Sequence, residues 1–148
     1  MGQKKSSKVV WRDAMIFTGY GSNGYSIPLD SNRASGGQDA GVSPVELMLT
    51  ALAGCTAMDV ISILRKKQQD VTGFEVRVEG ERADEFPKVY TDITVHYVVT
   101  GRNVSPAAVE RAIQLSHEKY CAVSATLRHT ATLHHTYEII EAELVQEN

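Results

Sequence analysis

The side chains best suited to covalent or metal chemistry are two cysteines, Cys55 and Cys121, and five histidines. Two cysteines are too few for a disulfide framework, and no CxxC pair is present, so any role they have is that of thiols. Cys121 stands where the pattern predicts the start of a helix. The positive end of a helix dipole stabilises thiolate, so local physics makes Cys121 the better nucleophile. Cys55 lies in the middle of an apolar helix, where burial raises a thiol's pKa unless a cation is brought to it. The nearest such cation is Arg33, on a Gly-rich loop, and Glu46 is placed to hold its guanidinium through a bidentate pair. Each also has a bland reading: Cys55 packs as a small apolar residue, Glu46 closes a helix cap, and Arg33 is a solvated loop charge. Asp59 follows Cys55 by one turn on the same helix face. A carboxylate there opposes thiolate formation unless it binds a base or orients a partner.

The histidines point to no metal site. His134 and His135 are adjacent in a predicted strand and face opposite ways. His117 and Cys121 have i, i+4 spacing, but the Tyr120-Cys121 junction breaks that register. There is no HExxH, no Cys/His pair at zinc spacing, no Gly-rich phosphate loop and no GxSxG. No metal and no cofactor is expected.

The element that must position this chemistry is the stretch Ser43 to Leu64. Ser43 and Glu46 form a capping box, and Pro44 takes the first helical position. Leu, Met, Ala, Val and Ile then occupy every side, and Arg65-Lys66-Lys67 close the helix at the negative end of its dipole. A helix apolar all round is a core helix or a membrane span. Asp59 near its middle would cost roughly 2.5–3.5 kcal/mol in a bilayer, so a long buried core helix is expected.

The chain has 148 residues and a net charge of -3, enough length for one domain with a real core and no electrostatic reason to bind nucleic acid or a membrane surface. The basic start lacks an apolar h-region, so a cytoplasmic protein is expected. Before the central helix, Lys8-Trp11, Met15-Thr18 and Tyr25-Leu29 read as strands, with Pro28 placing the third at an edge. A loop from Ser31 to Val42 follows, given flexibility by Gly36, Gly37 and Gly41. After the helix, alternation over Gly73-Glu79 and Ile93-Val99 predicts a long hairpin turning at Ala83-Lys88. Ser105-Pro106 opens a second helix to about Glu118, a third runs from Cys121 to about Arg128, and Ala131-Ile140 is the last strand. Residues 1–7 and 141–148 read as frayed tails of a single domain over 1–148. The fold class is α+β, in the order β-β-β-α-β-β-α-α-β. A sheet this modest covers one side of an apolar helix, which makes an obligate homodimer the expected assembly.

Two segments carry a family resemblance. Ser43-Pro44-Val45-Glu46-Leu47 leading to Ala53-Gly54-Cys55, and Glu118-Lys119-Tyr120-Cys121-Ala122-Val123-Ser124, resemble the paired cysteine motifs of the osmotically inducible protein C / organic hydroperoxide resistance family (OsmC/Ohr). The phrase Leu-Ala-Gly-Cys-Thr-Ala-Met-Asp-Val, with Val98 to Arg102, looks closest to its YhfA-like branch. The resemblance implies an intertwined homodimer built on its long helices. It implies that Cys55 attacks a hydroperoxide and that Cys121 resolves the sulfenic acid as a disulfide, which reverses the ranking from the helix dipole. Two positions depart from the pattern. Val45 stands where the family has glutamate, leaving only Glu46 about a quarter turn away, and Ala122 stands where the family has proline. Arg33 is carried over as the activating arginine, with Arg12 as its rival. The implied activity is a peroxidase acting on organic hydroperoxides and regenerated by a dithiol reductant. The alternatives are a non-enzymatic protein holding a small apolar ligand and a redox sensor that forms the disulfide without turnover.

Overall fold

The computed structural model describes residues 2–143. In chain order the elements are β1 (Ser7–Asp13), β2 (Ile16–Gly21), β3 (Ser26–Leu29), a 3-10 turn (Arg33–Ser35) and α1 (Pro44–Lys66). There follow β4 (Asp70–Arg82), β5 (Tyr90–Arg102), α2 (Pro106–Leu115), a π-helical turn (Ser116–Tyr120), α3 (Ala122–Leu127) and β6 (Thr132–Glu141). This is the α+β order that the periodicity predicts. The expected tails are shorter: Ser7 opens β1, and Glu141 ends β6 with its carboxylate accepting the Asn103 N–H at 3.1 Å. Met1 and residues 144–148 lie outside the described residues.

The chain forms two compact units, residues 1–48 and 49–148. In the first, β1, β2 and β3 pair antiparallel in sequence order, which leaves Pro28 on an edge strand. The loop that the glycines led us to expect as flexible is instead tied down. Asp30 is buried and its carboxylate accepts the N–H groups of Ser31, Gln38 and Ala40 at 2.7, 3.0 and 3.1 Å. Burial alone would raise its pKa, but the three amides outweigh it and hold the carboxyl below its ordinary range. Gly37 and Gly41 serve close approach rather than freedom. A Cβ on Gly37 would strike the backbone of Ser31, and one on Gly41 would sit 2.6 Å from the carbonyl of Pro28. At the loop's end Ser43 Oγ accepts the Glu46 N–H at 3.3 Å, and Pro44 begins α1 as the cap signal predicts.

In the second unit, β4 and β5 form the long antiparallel hairpin, and β6 lies parallel to β5 on its other side. A parallel neighbour needs a crossover, here supplied by α2, the π turn and α3. Central β5 turns Ile93, Val95, Tyr97 and Val99 inward, all fully buried. Against them α1 buries one residue per turn, Leu52, Thr56, Val60 and Leu64, and α2 buries Ala108, Val109, Ala112 and Ile113. The rest of α1 is apolar but open, with Met48 44% and Met58 73% exposed. Among the described residues α1 is the helix long and apolar enough to cross a bilayer, but its inward stripe packs as that of a core helix.

Replacing Asp30 by Ala removes the acceptor of three loop amides. Hydrogen exchange at Gln38 and Ala40 should then accelerate well beyond any change in the β4–β5 hairpin.

Candidate functional site

The second unit brings the two cysteines together. α1 supplies Cys55 and, one turn on, Asp59. Cys121 arrives through the π turn, whose last hydrogen bond runs from the Cys121 N–H to the Ser116 carbonyl five residues back, at 2.8 Å. The chain then leaves the helix, and Cys121 caps α3, its Sγ accepting the Ser124 N–H at 3.3 Å. The sulfurs of Cys55 and Cys121 and a carboxylate oxygen of Asp59 all lie within 4.8 Å of one another. These three also form the group, among the described residues, whose donor atoms could share one metal ion. That set comes from two segments of chain, Cys55 and Asp59 from α1 and Cys121 from the junction before α3, and helical spacing in the sequence relates only the first two.

The thiols are not equivalent. Cys121 is 2% exposed, while Cys55 is half-buried. Burial first, then the neighbouring Cys55, push the Cys121 thiol up to about 11, although the Ser124 amide acts in the opposite direction. This corrects the expectation that the helix start makes Cys121 the readier thiolate. α3 has only 6 residues, and one amide and a short dipole do not offset the loss of water.

Behind the thiols runs a chain of buried polar groups. Ser116 Oγ donates to Asp59 Oδ2 at 2.9 Å and lies 2.9 Å from Thr56 Oγ1. Thr56 Oγ1 is 2.8 Å from the Tyr97 hydroxyl, which is 3.2 Å from His135 Nδ1. His135 Nε2 is 3.2 Å from His117 Nδ1, which is also 3.0 Å from Ser124 Oγ. Burial pushes the Tyr97 phenol up to about 12. It pushes His135 down to about 4, and the nearby imidazoles of His117 and His134 act the same way. No buried side-chain nitrogen or oxygen among the described residues lacks a partner.

Of the residues expected from sequence, Cys55, Cys121 and Asp59 converge here. Arg33 and Glu46 belong to the first unit. Arg33 lies in the 3-10 turn with its side chain 81% exposed and pairs with Asp39 at 3.8 Å. Glu46 is exposed in the first turn of α1. Arg12, the rival arginine, lies on β1, where its guanidinium donates to Thr18 Oγ1 at 3.0 Å and to the Tyr20 hydroxyl. Val45 is half-buried and Ala122 is the exposed first residue of α3. Sequence reasoning did not find Thr56, Tyr97, Ser116, His117 and His135 as one group. A signal existed for Thr56, the polar member of the stripe Leu52, Thr56, Val60, Leu64. No local pattern joins the other four.

Because His135 is held near 4 in the folded chain against about 6.5 unfolded, the unfolded state binds more protons between these values. The stability it contributes is full above about pH 6.5 and falls as pH drops towards 4. Urea midpoints measured from pH 7 to 4 should fall less steeply in His135→Gln than in the wild type.

Comparisons with known proteins agree with this architecture. The family described as OsmC-like protein matches residues 36–136. Protein YhfA of Escherichia coli K12 is 43% identical over 136 residues, covering 92% of this chain and 98% of that one. A crystal structure of a hypothetical protein from Aquifex aeolicus VF5 superposes with a TM-score of 0.84 at 30% identity, covering 96% of this chain and all of that one. An organic hydroperoxide resistance protein OsmC from Legionella pneumophila shares the fold alone, with a TM-score of 0.70 at 15% identity over 92% of this chain and 97% of that one. With its fold, its two cysteine segments and most of its length matched in this way, the chain belongs to the OsmC-like family.

Proposed function

We propose that this chain is a thiol-dependent peroxidase that reduces organic hydroperoxides. The observation that carries the reading is the convergence of Cys55, Cys121 and Asp59 within 4.8 Å. Cys55, as thiolate, attacks the terminal oxygen of the hydroperoxide. The O–O bond breaks, an alcohol leaves and Cys55 holds a sulfenic acid. Cys121 then attacks the Cys55 sulfur, water leaves and the disulfide forms. The burial of Cys121 supports this order, because a thiol held near 11 is a poor first nucleophile but remains protonated until an electrophile appears beside it. The apolar side chains around Cys55 on α1 favour an organic over a hydrogen peroxide substrate. A dithiol would return the pair to its reduced state.

The reading includes a cytoplasmic homodimer. The open apolar side of α1 and the exposed Val9, Trp11, Met15 and Ile27 of the first unit are surface that a second copy would remove from water. Arg33 and Glu46 remain its candidate activating pair, by family resemblance.

Cys55→Ser should consume no cumene hydroperoxide. Cys121→Ser should consume about one equivalent per chain and then label with dimedone at Cys55. A dimedone label on Cys121 in Cys55→Ser would reverse the roles. In the wild type, loss of two hydrogens per chain without dithiol turnover would make the protein a sensor, and no mass change would make it a ligand-binding protein. Arg33→Ala should slow alkylation of Cys55 at pH 7 and leave Cys121 little changed; the same effect from Arg12→Ala instead would move the role there. Sedimentation at micromolar concentration should give a dimer, and a folded monomer would remove the second copy from the reading.

A further inference from the structure

The polar chain behind the thiols has a single direction. The Asp59 carboxylate accepts, so the one Ser116 hydroxyl hydrogen is committed to it. Ser116 Oγ must therefore accept from Thr56, and Thr56 Oγ1 must in turn accept from the Tyr97 hydroxyl. With its hydrogen given to Thr56, the Tyr97 oxygen must accept from His135, which fixes the proton of that ring on Nδ1. A neutral His135 then has a bare Nε2, which accepts from His117 Nδ1–H; Ser124 Oγ takes the other branch of the same N–H. Five hydrogen bonds thus point one way, from half-buried His117 to Asp59 beside both sulfurs. The burial that keeps His135 neutral near pH 7 keeps this order in place.

We propose that His135, Tyr97, Thr56 and Ser116 form a proton relay that carries a proton from His117 to Asp59, which hands it to the oxygen leaving during peroxide reduction. The chemical role rests on the peroxidase reading above. Starting from the Cys55 thiolate and the Cys121 thiol, the turnover is Cys55–S⁻ + Cys121–SH + ROOH + H⁺ giving the disulfide, ROH and water. The two sulfurs lose two electrons and the peroxide gains them. The thiol proton supplies one of the three hydrogens in the products, the hydroperoxide supplies another, and the third enters from outside. The relay supplies that third proton: each group passes its hydrogen one step towards Asp59, and His117 is refilled from water. Asp59, with a carboxylate oxygen within 4.8 Å of both sulfurs, is the member placed to reach the leaving oxygen, while the other five act through it.

The direction is testable in the resting protein without any substrate. Long-range proton–nitrogen correlation spectra of the reduced wild type at pH 7 should show His135 as its Nδ1–H tautomer and a hydrogen on His117 Nδ1. An Nε2–H tautomer at His135 reverses the bonds and overturns the relay. Kinetically, Thr56→Val removes the central hydroxyl and should slow single-turnover reduction of cumene hydroperoxide by about a hundredfold, whereas a rate within about twofold of wild type would overturn it. His117→Ala should be slowed similarly, with KM little changed, and added imidazole should restore the rate saturably. A loss that imidazole does not restore would mean His117 serves packing only and would overturn its place as the entry. If the wild type leaves hydroperoxide untouched, the peroxidase reading fails, and the tautomers still decide whether the relay exists.

Discussion

Thr56 puts a hydroxyl into the one stripe of α1 that its own chain buries, and two other elements are held in place by satisfying it. A buried hydroxyl without a partner costs roughly 1–3 kcal/mol, so Tyr97 of β5 and Ser116 of the π turn cannot drift from Thr56 cheaply. Ser116 then acts twice. Its side chain binds Thr56 and Asp59 of α1, and its carbonyl accepts the N–H of Cys121. The position of the second thiol relative to the first therefore rests on one serine as well as on the contact between the two thiols.

That arrangement also places two identical thiols in different surroundings. Both stand near the same carboxylate. Access to water does distinguish them. Cys121 is enclosed and Cys55 half-open, and the cost of ionising the enclosed thiol exceeds what a single amide of a 6-residue helix returns. Helix-terminus arguments made from sequence assume a solvated cap, and here the cap is buried.

Much of the scaffold was legible because it follows from local rules. Ser43-Pro44 and Ser105-Pro106 announce their helices, and the alternation in β4, β5 and β6 gives both the strands and their inward faces. What escaped was set by partners distant in sequence. The Ser31–Val42 loop reads as flexible from its glycines, yet a buried carboxylate from the end of β3 organises it. Nothing near His117 or His135 says that their rings meet, because β6 returns parallel to β5 only after a crossover. Asp59 was readable as a neighbour of Cys55 by helical spacing, but its bond to Ser116 spans 57 residues.

The π turn between α2 and α3 has a bearing on how relatives of this chain can diverge. It holds one residue more than an ordinary helical turn. Losing a single residue between Ser116 and Tyr120 would let an ordinary i→i+4 bond close the turn, with the cysteine N–H still against the Ser116 carbonyl. The thiol would keep its place in a chain one residue shorter. The determinant is thus a hydrogen bond rather than a residue count. A lineage can therefore carry a one-residue gap at this turn and still deliver its second cysteine beside the first.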